Sequence, residues 1–270
     1  MNSVPAAPSQ TSPDLLTRAV AGFLVLILFD AAQLLEFYPE RTETLWAWTI
    51  NPPLTAMLLG SVYAGGGYFF ARVLFSAPWE RVAAGFPAIA LFVWMAVLAT
   101  ALHLDRFHED SLPFAAWAAL YLTTPLLVPW LYLRNRRRAV AVELTPLPRA
   151  FKLVLAVCGG LVVAIALVLF AFPDLAIDNW PWLLTPLTAR ITATVFALYG
   201  ATWLSIALNG TREGAVIPLQ SHAIGIAILL IGIVRGEDAV DWGNALAPII
   251  VAVAGAMFLT SAVGSRACKT

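Results

Sequence analysis

Eight long apolar stretches constrain this chain more than any other feature of its sequence. A helix that crosses a bilayer needs about 20 mostly apolar residues, because lipid offers the backbone no hydrogen-bond partner. Short segments that carry nearly all of the charge separate the stretches. The sequence therefore predicts an all-α membrane protein with eight transmembrane helices. The predicted spans are 18–38, 53–75, 82–102, 113–133, 152–172, 186–208, 215–234 and 244–263.

The composition excludes most other protein classes. Only 12% of the 270 residues are charged and 60% are apolar, whereas a soluble domain has about 25% charged residues and is about half apolar. The 16 basic residues balance the 16 acidic ones, so we expect no positively charged footprint for nucleic acid. The sequence also contains no phosphate loop, nucleophile elbow or metalloprotease motif, which leaves the common soluble-enzyme chemistries without support.

The basic residues predict the orientation in the membrane, because Lys and Arg are enriched in cytoplasmic loops. With the N-terminus inside, 12 basic residues fall on cytoplasmic segments and three on the opposite face, while Arg190 lies just inside the sixth span. Both termini are therefore predicted to be cytoplasmic. The first 17 residues have no basic segment typical of a signal peptide, so we interpret the first apolar stretch as a retained span.

The two halves of the sequence align at a shift of about 133 residues, which indicates an internal duplication. An ordered series of matches at nearly constant spacing is unlike a chance similarity. The series predicts two tandem four-helix repeats related by an axis along the membrane normal. The matches are 37–40 with 171–174, Trp46 with Trp180, Trp48 with Trp182, 53–56 with 186–189, Gly67 with Gly200, Glu80 with Glu213, and Asp105 with Asp238.

The spans, the duplication and the charge runs together predict how the chain is organised. The linker holds the largest charge block, which is typical of topology anchoring and of attraction to anionic lipid. The predicted parts are a disordered cytoplasmic tail at 1–17, a first four-helix unit at 18–133, a basic cytoplasmic linker at 134–151, a second four-helix unit at 152–264 and a cytoplasmic tail at 265–270.

The sequence contains the motifs HLDRFH at 103–108 and WPWLLTPLTAR at 180–190. Both resemble motifs of a family of uncharacterised bacterial multipass integral membrane proteins. Members of that hypothetical membrane protein family carry a duplicated four-helix unit, and the resemblance covers most of 18–264. It implies a location in the bacterial plasma (inner) membrane and a duplicated architecture. It implies no activity.

The predicted extracytoplasmic loop after the third span contains candidate metal ligands. His103, Asp105 and His108 carry imidazole and carboxylate groups, which are ligand types for zinc or another divalent ion. A turn would be needed to bring the two histidines together, because residues five apart lie on different faces of a helix. The alternative is a solvated loop in which Asp105 pairs with Arg106. No cofactor other than such a metal is predicted.

Polar residues at membrane depth form a second set of candidates. Asp30 and Gln33 lie three residues apart in the first span, and ionisable groups there usually face protein or water. A functional interpretation is a proton- or cation-responsive carboxylate, with Arg190 or His222 as its partner. The alternatives are a structural hydrogen bond for Asp30, an Arg190 side chain that reaches the headgroups or pairs with Asp174, and an interhelical donor role for His222.

Two further expectations concern side chains near the outer membrane boundary. Glu36 lies at the end of the first span, and we expect it to be solvated. Four tryptophans, Trp46, Trp48, Trp180 and Trp182, lie where spans meet this boundary, and we expect them to anchor the protein in the interface as an aromatic belt.

Three functions from different classes remain compatible with the sequence. The first is a non-catalytic accessory or scaffold subunit of a membrane assembly, bound to membrane-protein partners. Besides the lipid bilayer and such partners, the sequence is compatible with a homo-oligomer under the other functions. The second is a small transporter or lipid-handling protein with a polar cavity near Asp30, Arg190 and His222. The third is a metal-dependent enzyme of the extracytoplasmic face that uses the His103 loop. Short loops and few buried polar groups favour the first function over an enzyme.

Overall fold

The computed structural model describes residues 12–75, 77–139 and 143–269, and their architecture is all-α. Within these ranges, eight helices are long and apolar enough to cross a membrane, which confirms the predicted number of spans. They are α1 (Leu15–Phe37), α2 (Pro53–Leu74), α3 (Trp79–Leu102), α4 (Leu112–Arg138), α5 (Arg149–Ala171), α6 (Pro186–Asn209), α7 (Arg212–Arg235) and α8 (Leu246–Ala267).

The helices extend into three segments that the sequence assigned to tails and to the linker. Helix α1 includes 15–17, α4 continues through 134–138, and α8 ends at Ala267. Arginine is a good helix former, so the basic run continues α4 without a break. The rest of the predicted N-terminal tail at 1–11, linker residues 140–142 and the last residue of the C-terminal tail lie outside the described residues.

The helices alternate in direction, which gives the bundle two chemically different ends. We call the end where α1 begins and α8 ends the arginine-rich end; it holds Arg72, Arg81, Arg134 and Arg212. The opposite end holds Trp46, Trp48, Trp180 and Trp182, and we call it the tryptophan-rich end.

Asp14 caps the first helix and connects it to the end of α4. Its carboxylate accepts hydrogen bonds from the Thr17 backbone N–H at 2.9 Å and from the Thr17 hydroxyl at 2.5 Å, and it forms an ion pair with Arg134. The Asn135 amide donates to the Thr17 hydroxyl at 2.7 Å. Burial alone would raise the pKa of Asp14, but the hydrogen bonds from Thr17 and Arg134 outweigh it and lower the pKa to about 2.

Two helix pairs, α1 with α2 and α5 with α6, pack most extensively. In the second pair the backbones touch, because a Cβ atom built on Gly159 would lie 2.7 Å from the Gly200 carbonyl oxygen. In the first pair, side chains fill the space over the glycines. A Cβ on Gly60 would lie 2.9 Å from a Glu36 carboxylate oxygen, and one on Gly67 would meet the Phe29 ring at 3.0 Å.

At the centre of the bundle, helices from one half of the chain pack against helices from the other half. Helix α2 packs against α7, and α6 packs against α3. The Ser221 hydroxyl donates to the Gly65 carbonyl oxygen at 2.8 Å, and the Trp182 indole N–H donates to the Thr55 hydroxyl at 3.0 Å. These contacts join the two halves along the length of α2.

The expectation of an aromatic belt is wrong for two of the four tryptophans. Trp48 and Trp182 are only 2% and 6% exposed, because the loops fold back over the helix ends and carry these rings into the bundle. Trp48 pairs with Phe107 in an isolated β-bridge and packs edge-on against Trp117, with ring centroids 4.8 Å apart. These rings therefore close the tryptophan-rich end by packing.

Candidate functional site

A contact between His103 and Arg190 joins two of the predicted site residues. Helix α6 begins at Pro186 behind a capping box formed by Thr185 and Thr188, which places Arg190 one turn into the helix. Helix α3 ends just before His103. The Arg190 Nη1 atom lies 2.7 Å from His103 Nε2. The partners expected for Arg190 from the sequence are Asp30, Asp174 and the headgroups. His103 is not among them, so its contact with Arg190 was missed.

The contact determines the protonation state of His103. An arginine guanidinium can only donate, so His103 Nε2 accepts and the imidazole is neutral. Burial, followed by the charge of Arg190, lowers the pKa of His103, although Asp105 opposes this change. His103 therefore joins α3 to α6 at the tryptophan-rich end. It does so as a neutral imidazole whose Nε2 atom accepts a hydrogen bond from Arg190.

The structure gives the three predicted metal ligands separate partners. Asp105 pairs with Arg106 at 3.1 Å, and both side chains are largely exposed. The His108 ring contacts the Thr49 hydroxyl at 3.2 Å. Across residues 12–75, 77–139 and 143–269, no group of three His, Cys, Asp or Glu side chains has an arrangement that could hold a metal ion.

Asp30 and Gln33 lie on the outer, exposed face of α1. A cavity of about 320 Å³ opens beside Asp30, between α1 and the first turns of α4. Aromatic side chains of Trp46, Tyr63 and Trp117 contribute to its walls. The arrangement presents one carboxylate at the edge of an apolar, aromatic groove.

The expectation that Glu36 is solvated is wrong, because the residue is 7% exposed. Arg235 folds over it from the end of α7. The guanidinium donates to the Glu36 carbonyl oxygen at 2.6 Å and to the Oε2 atom at 3.4 Å. Glu36 thus fastens α1 to α7 and carries no exposed charge into the groove.

His222 is buried in the centre of the bundle, at 2% exposure. Its Nδ1 atom lies 2.9 Å from the Ser261 hydroxyl, which also accepts a hydrogen bond from the Trp203 indole at 3.1 Å. The contact joins α7 to α8, and the tautomer of His222 determines which of the two groups donates. The Nε2 atom has no hydrogen-bond partner within the described part of the chain, and a cavity of about 50 Å³ adjoins the ring.

The transporter hypothesis placed Asp30, Arg190 and His222 around one cavity. In the structure Asp30 borders the α1–α4 groove, Arg190 contacts His103, and His222 contacts Ser261. The three side chains therefore have three separate environments, and the described residues contain no hydrogen bond or ion pair between any two of them.

A basic cavity of about 410 Å³ lies at the arginine-rich end, and it was not predicted from the sequence. Arg72 from the end of α2, Arg212 from the start of α7 and Lys269 from beyond α8 line it. The individual basic residues were visible in the sequence, where each was interpreted as a topology anchor. Nothing in the sequence indicated that they converge, because they come from distant parts of the chain.

Glu80 is among the residues that line a second cavity at the same end, about 570 Å³ in volume. Both carboxylate oxygens are buried and have no hydrogen-bond partner among the described side chains and backbone. Tyr132, Arg136 and Ser205 are among the residues that line this cavity. Glu80 aligns with Glu213 of the basic cavity, at the spacing of 133 residues found in the sequence.

No known protein family matches this chain, and neither a curated protein nor a solved structure matches it. Its function must therefore be inferred from the geometry of its own residues.

Proposed function

We propose that this protein is a non-catalytic accessory subunit of a membrane assembly, and that the outer face of α1 contacts a membrane-spanning partner. The observation that carries the proposal is the exposed carboxylate of Asp30, which lies within a membrane-spanning helix. A carboxylate in contact with lipid is costly, so such groups usually face protein or water. A partner helix that covers Asp30 removes this cost.

The position of Asp30 along α1 supports burial in the bilayer. At 1.5 Å per residue, Asp30 lies about 22 Å from the start of α1 at Leu15 and about 10 Å from its end at Phe37. A side chain of this length does not easily reach the headgroups from that depth. Gln33, one turn further along the same exposed side, adds a hydrogen-bonding group.

The groove beside Asp30 favours a helix as the partner element. Its apolar and aromatic walls suit the side chains of a membrane-spanning helix, and the Asp30 carboxylate complements a basic or hydrogen-bond-donating side chain on that helix. We therefore expect an otherwise apolar partner helix with one Lys, Arg or other donor residue at the level of Asp30.

The experiment that tests this function is native mass spectrometry of the protein extracted from its own membrane in mild detergent. We expect a second polypeptide at fixed stoichiometry with the wild-type chain. Asp30→Leu removes the carboxylate and should release that polypeptide. Glu43→Gln removes a charge from an exposed residue outside the groove, so it should leave the complex intact.

Two outcomes would overturn the proposal. One is a wild-type chain that is recovered alone or only as a homo-oligomer. The other is an Asp30→Leu variant that keeps its partner in the same amount as wild type. Because Asp30 is exposed, the variant should retain the wild-type unfolding temperature, which separates loss of the partner from loss of the fold.

We further propose that the eight helices form two tandem four-helix units. The pattern of packing supports this, since each contact in one half has a counterpart in the other. The pair α1–α2 corresponds to α5–α6, and α3–α4 corresponds to α7–α8. Across the halves, the contact of α2 with α7 corresponds to that of α6 with α3.

We also propose that the protein lies in a bacterial plasma membrane, with its arginine-rich end in the cytoplasm. The support for this orientation is the positive-inside rule. Arg18 donates to the Leu74 carbonyl oxygen at 3.0 Å, and Arg134 pairs with Asp14, so basic side chains from several helices gather at one end. Labelling of single cysteines introduced at Glu43 and Arg137, from each side of sealed vesicles, measures the orientation directly.

A further inference from the structure

The basic cavity at the arginine-rich end concentrates positive charge. Four cationic side chains, those of Arg72, Arg81, Arg212 and Lys269, line it together with one carboxylate, that of Glu213. Four positive charges and one negative charge leave a net charge of three positive. Like charges that line one cavity repel one another, and a bound anion offsets that repulsion.

The cations of this cavity form few contacts with charged groups of the described residues. Within the described ranges, none of the four takes part in a salt bridge. Arg72 donates to two neutral acceptors, the Tyr68 hydroxyl at 2.8 Å and the Gln220 side-chain oxygen at 3.2 Å. The buried Arg212 Nε atom has no hydrogen-bond acceptor among the described residues. Buried donors in proteins are normally hydrogen-bonded to protein, to ordered water or to a bound group.

The remaining polar groups of the cavity do not replace such an anion. The Glu213 carboxylate accepts the Thr145 backbone N–H, at 3.0 Å from one oxygen and 3.3 Å from the other, which holds it against one wall. Burial raises the pKa of the Cys268 thiol, so this group is neutral and contributes no negative charge.

The types of cation and their location indicate which anion fits. Guanidinium groups present paired donors that match phosphate oxygens, while lysine adds a mobile point charge. The cavity lies where α2 and α8 end and α7 begins, at the level expected for lipid headgroups. Its volume of about 410 Å³ can hold a phosphate group together with a substituent.

We propose that this basic cavity is a binding site for a phosphate-bearing anion, either the headgroup of an anionic lipid or a soluble phosphate compound. Arg72 and Arg212 hold the phosphate oxygens, and Arg81 and Lys269 close the site around it. The proposal is independent of the proposed accessory function, because the cavity and the Asp30 groove lie in different parts of the molecule.

The test measures the thermal unfolding of the purified full chain in neutral detergent and phosphate-free buffer. Inorganic pyrophosphate is the soluble probe, phosphatidic acid in mixed micelles is the lipid probe, and phosphatidylcholine is the neutral lipid control. We expect a saturable rise in unfolding temperature with phosphatidic acid, pyrophosphate or both, and none with phosphatidylcholine. A response to phosphatidic acid alone assigns the site to a lipid headgroup, whereas a response to pyrophosphate shows that a soluble phosphate compound enters it.

Three variants locate the response in the cavity. Arg212→Gln should weaken binding of the effective probe by about 10- to 100-fold, because it removes a charge-assisted hydrogen bond. Lys269 lies beyond the last helix, so Lys269→Gln should weaken binding without affecting the fold. Glu213→Gln should tighten binding by about 2- to 10-fold, because it removes the single negative charge but keeps an acceptor for Thr145.

A matched control completes the test. Arg137→Gln makes the same charge change at an exposed position of α4 outside the cavity, and it should bind the probe like wild type. The proposal is overturned if neither probe raises the unfolding temperature of the wild-type chain. It is equally overturned if the Arg137→Gln variant loses as much affinity as the Arg212→Gln variant.

Discussion

The helix pairs α1–α2 and α5–α6, one in each half of the sequence, are packed by different means. In α5–α6 the backbones touch at Gly159 and Gly200, where a Cβ on either glycine would lie within 2.8 Å of backbone atoms of the partner helix. In α1–α2 the side chains of Phe29 and Glu36 lie over the glycines of the partner helix. Small residues allow close helix approach in membranes, whereas intervening side chains leave room for adjustment.

The two pairs also differ in how they present polar groups. Helix α1 exposes Asp30 and Gln33 and buries Glu36, whereas the apolar core of α5 contains no charged residue. The start of α1 is capped by the Asp14 side chain, whereas α5 begins after Pro148 without a side-chain cap. The comparison indicates that α5–α6 is the rigid, structural pair and that α1–α2 carries the groups available for interaction.

The largest expected effect is in the rigid pair. A Cβ atom on Gly200 would lie 2.8 Å from both the Gly159 carbonyl oxygen and the Val163 backbone nitrogen, and backbone atoms cannot move aside individually. We expect Gly200→Val to lower the free energy of unfolding by about 3 kcal/mol, measured by denaturation in mixed micelles. Gly160→Val is the control, since a Cβ there meets nothing within 4 Å. Equal destabilisation by both variants would show that close approach is not what matters.

A smaller effect is expected from the ion pair that fastens α1 to α7. Arg235→Ala leaves the buried Glu36 carboxylate without its cation, and we expect a loss of about 1–2 kcal/mol, reduced from the value for a fully buried pair because the Arg235 side chain is 40% exposed. In a Glu36→Gln background the same substitution should cost less. If Arg235→Ala costs the same in the wild-type chain and in the Glu36→Gln background, Arg235 and Glu36 do not act as a pair.

The cap of α1 predicts a dependence of stability on pH. Because folding lowers the pKa of Asp14 to about 2, its contribution is fully present above the unfolded pKa of about 4 and is lost as the pH falls towards 2. We expect a loss of about 1 kcal/mol over this window, since the paired Arg134 side chain is 40% exposed. Asp14→Asn should flatten this part of the curve of unfolding free energy against pH, and an unchanged curve would exclude Asp14 as its source.

The smallest effect is expected at the glycine of α2 that aligns with Gly200. The three atoms nearest to a Cβ on Gly67 all belong to the Phe29 ring, which is 38% exposed and can rotate away. Gly67→Ala should therefore change the free energy of unfolding by less than about 1 kcal/mol. Gly200→Ala, measured in parallel, should cost more, and the reverse order would contradict the distinction between the two pairs.

The sequence could predict the features that depend on local composition. The apolar stretches give the eight spans, because each span must be apolar over its own length whatever it packs against. The start of α6 is likewise a local feature, since Thr185 immediately precedes a proline at the first helical position. The polar residues of the candidate sites were also recognisable by type.

The sequence could not predict partners that are distant along the chain. Arg190 contacts His103, 87 residues away, and Glu36 contacts Arg235, 199 residues away. The burial of Trp48 depends on a loop that folds back onto the bundle, and hydropathy near the membrane boundary does not distinguish this from an aromatic belt. The basic cavity was missed for the same reason, since convergence of side chains is a tertiary property.

The residues of the basic cavity lie far apart along the chain, which determines when during synthesis the cavity can form. Its walls include Arg72, which follows the second helix, and Lys269, which follows the eighth. During synthesis the early arginines therefore remain incompletely enclosed until α8 has inserted. A ligand that needs all four cations can therefore bind only after α8 has been inserted.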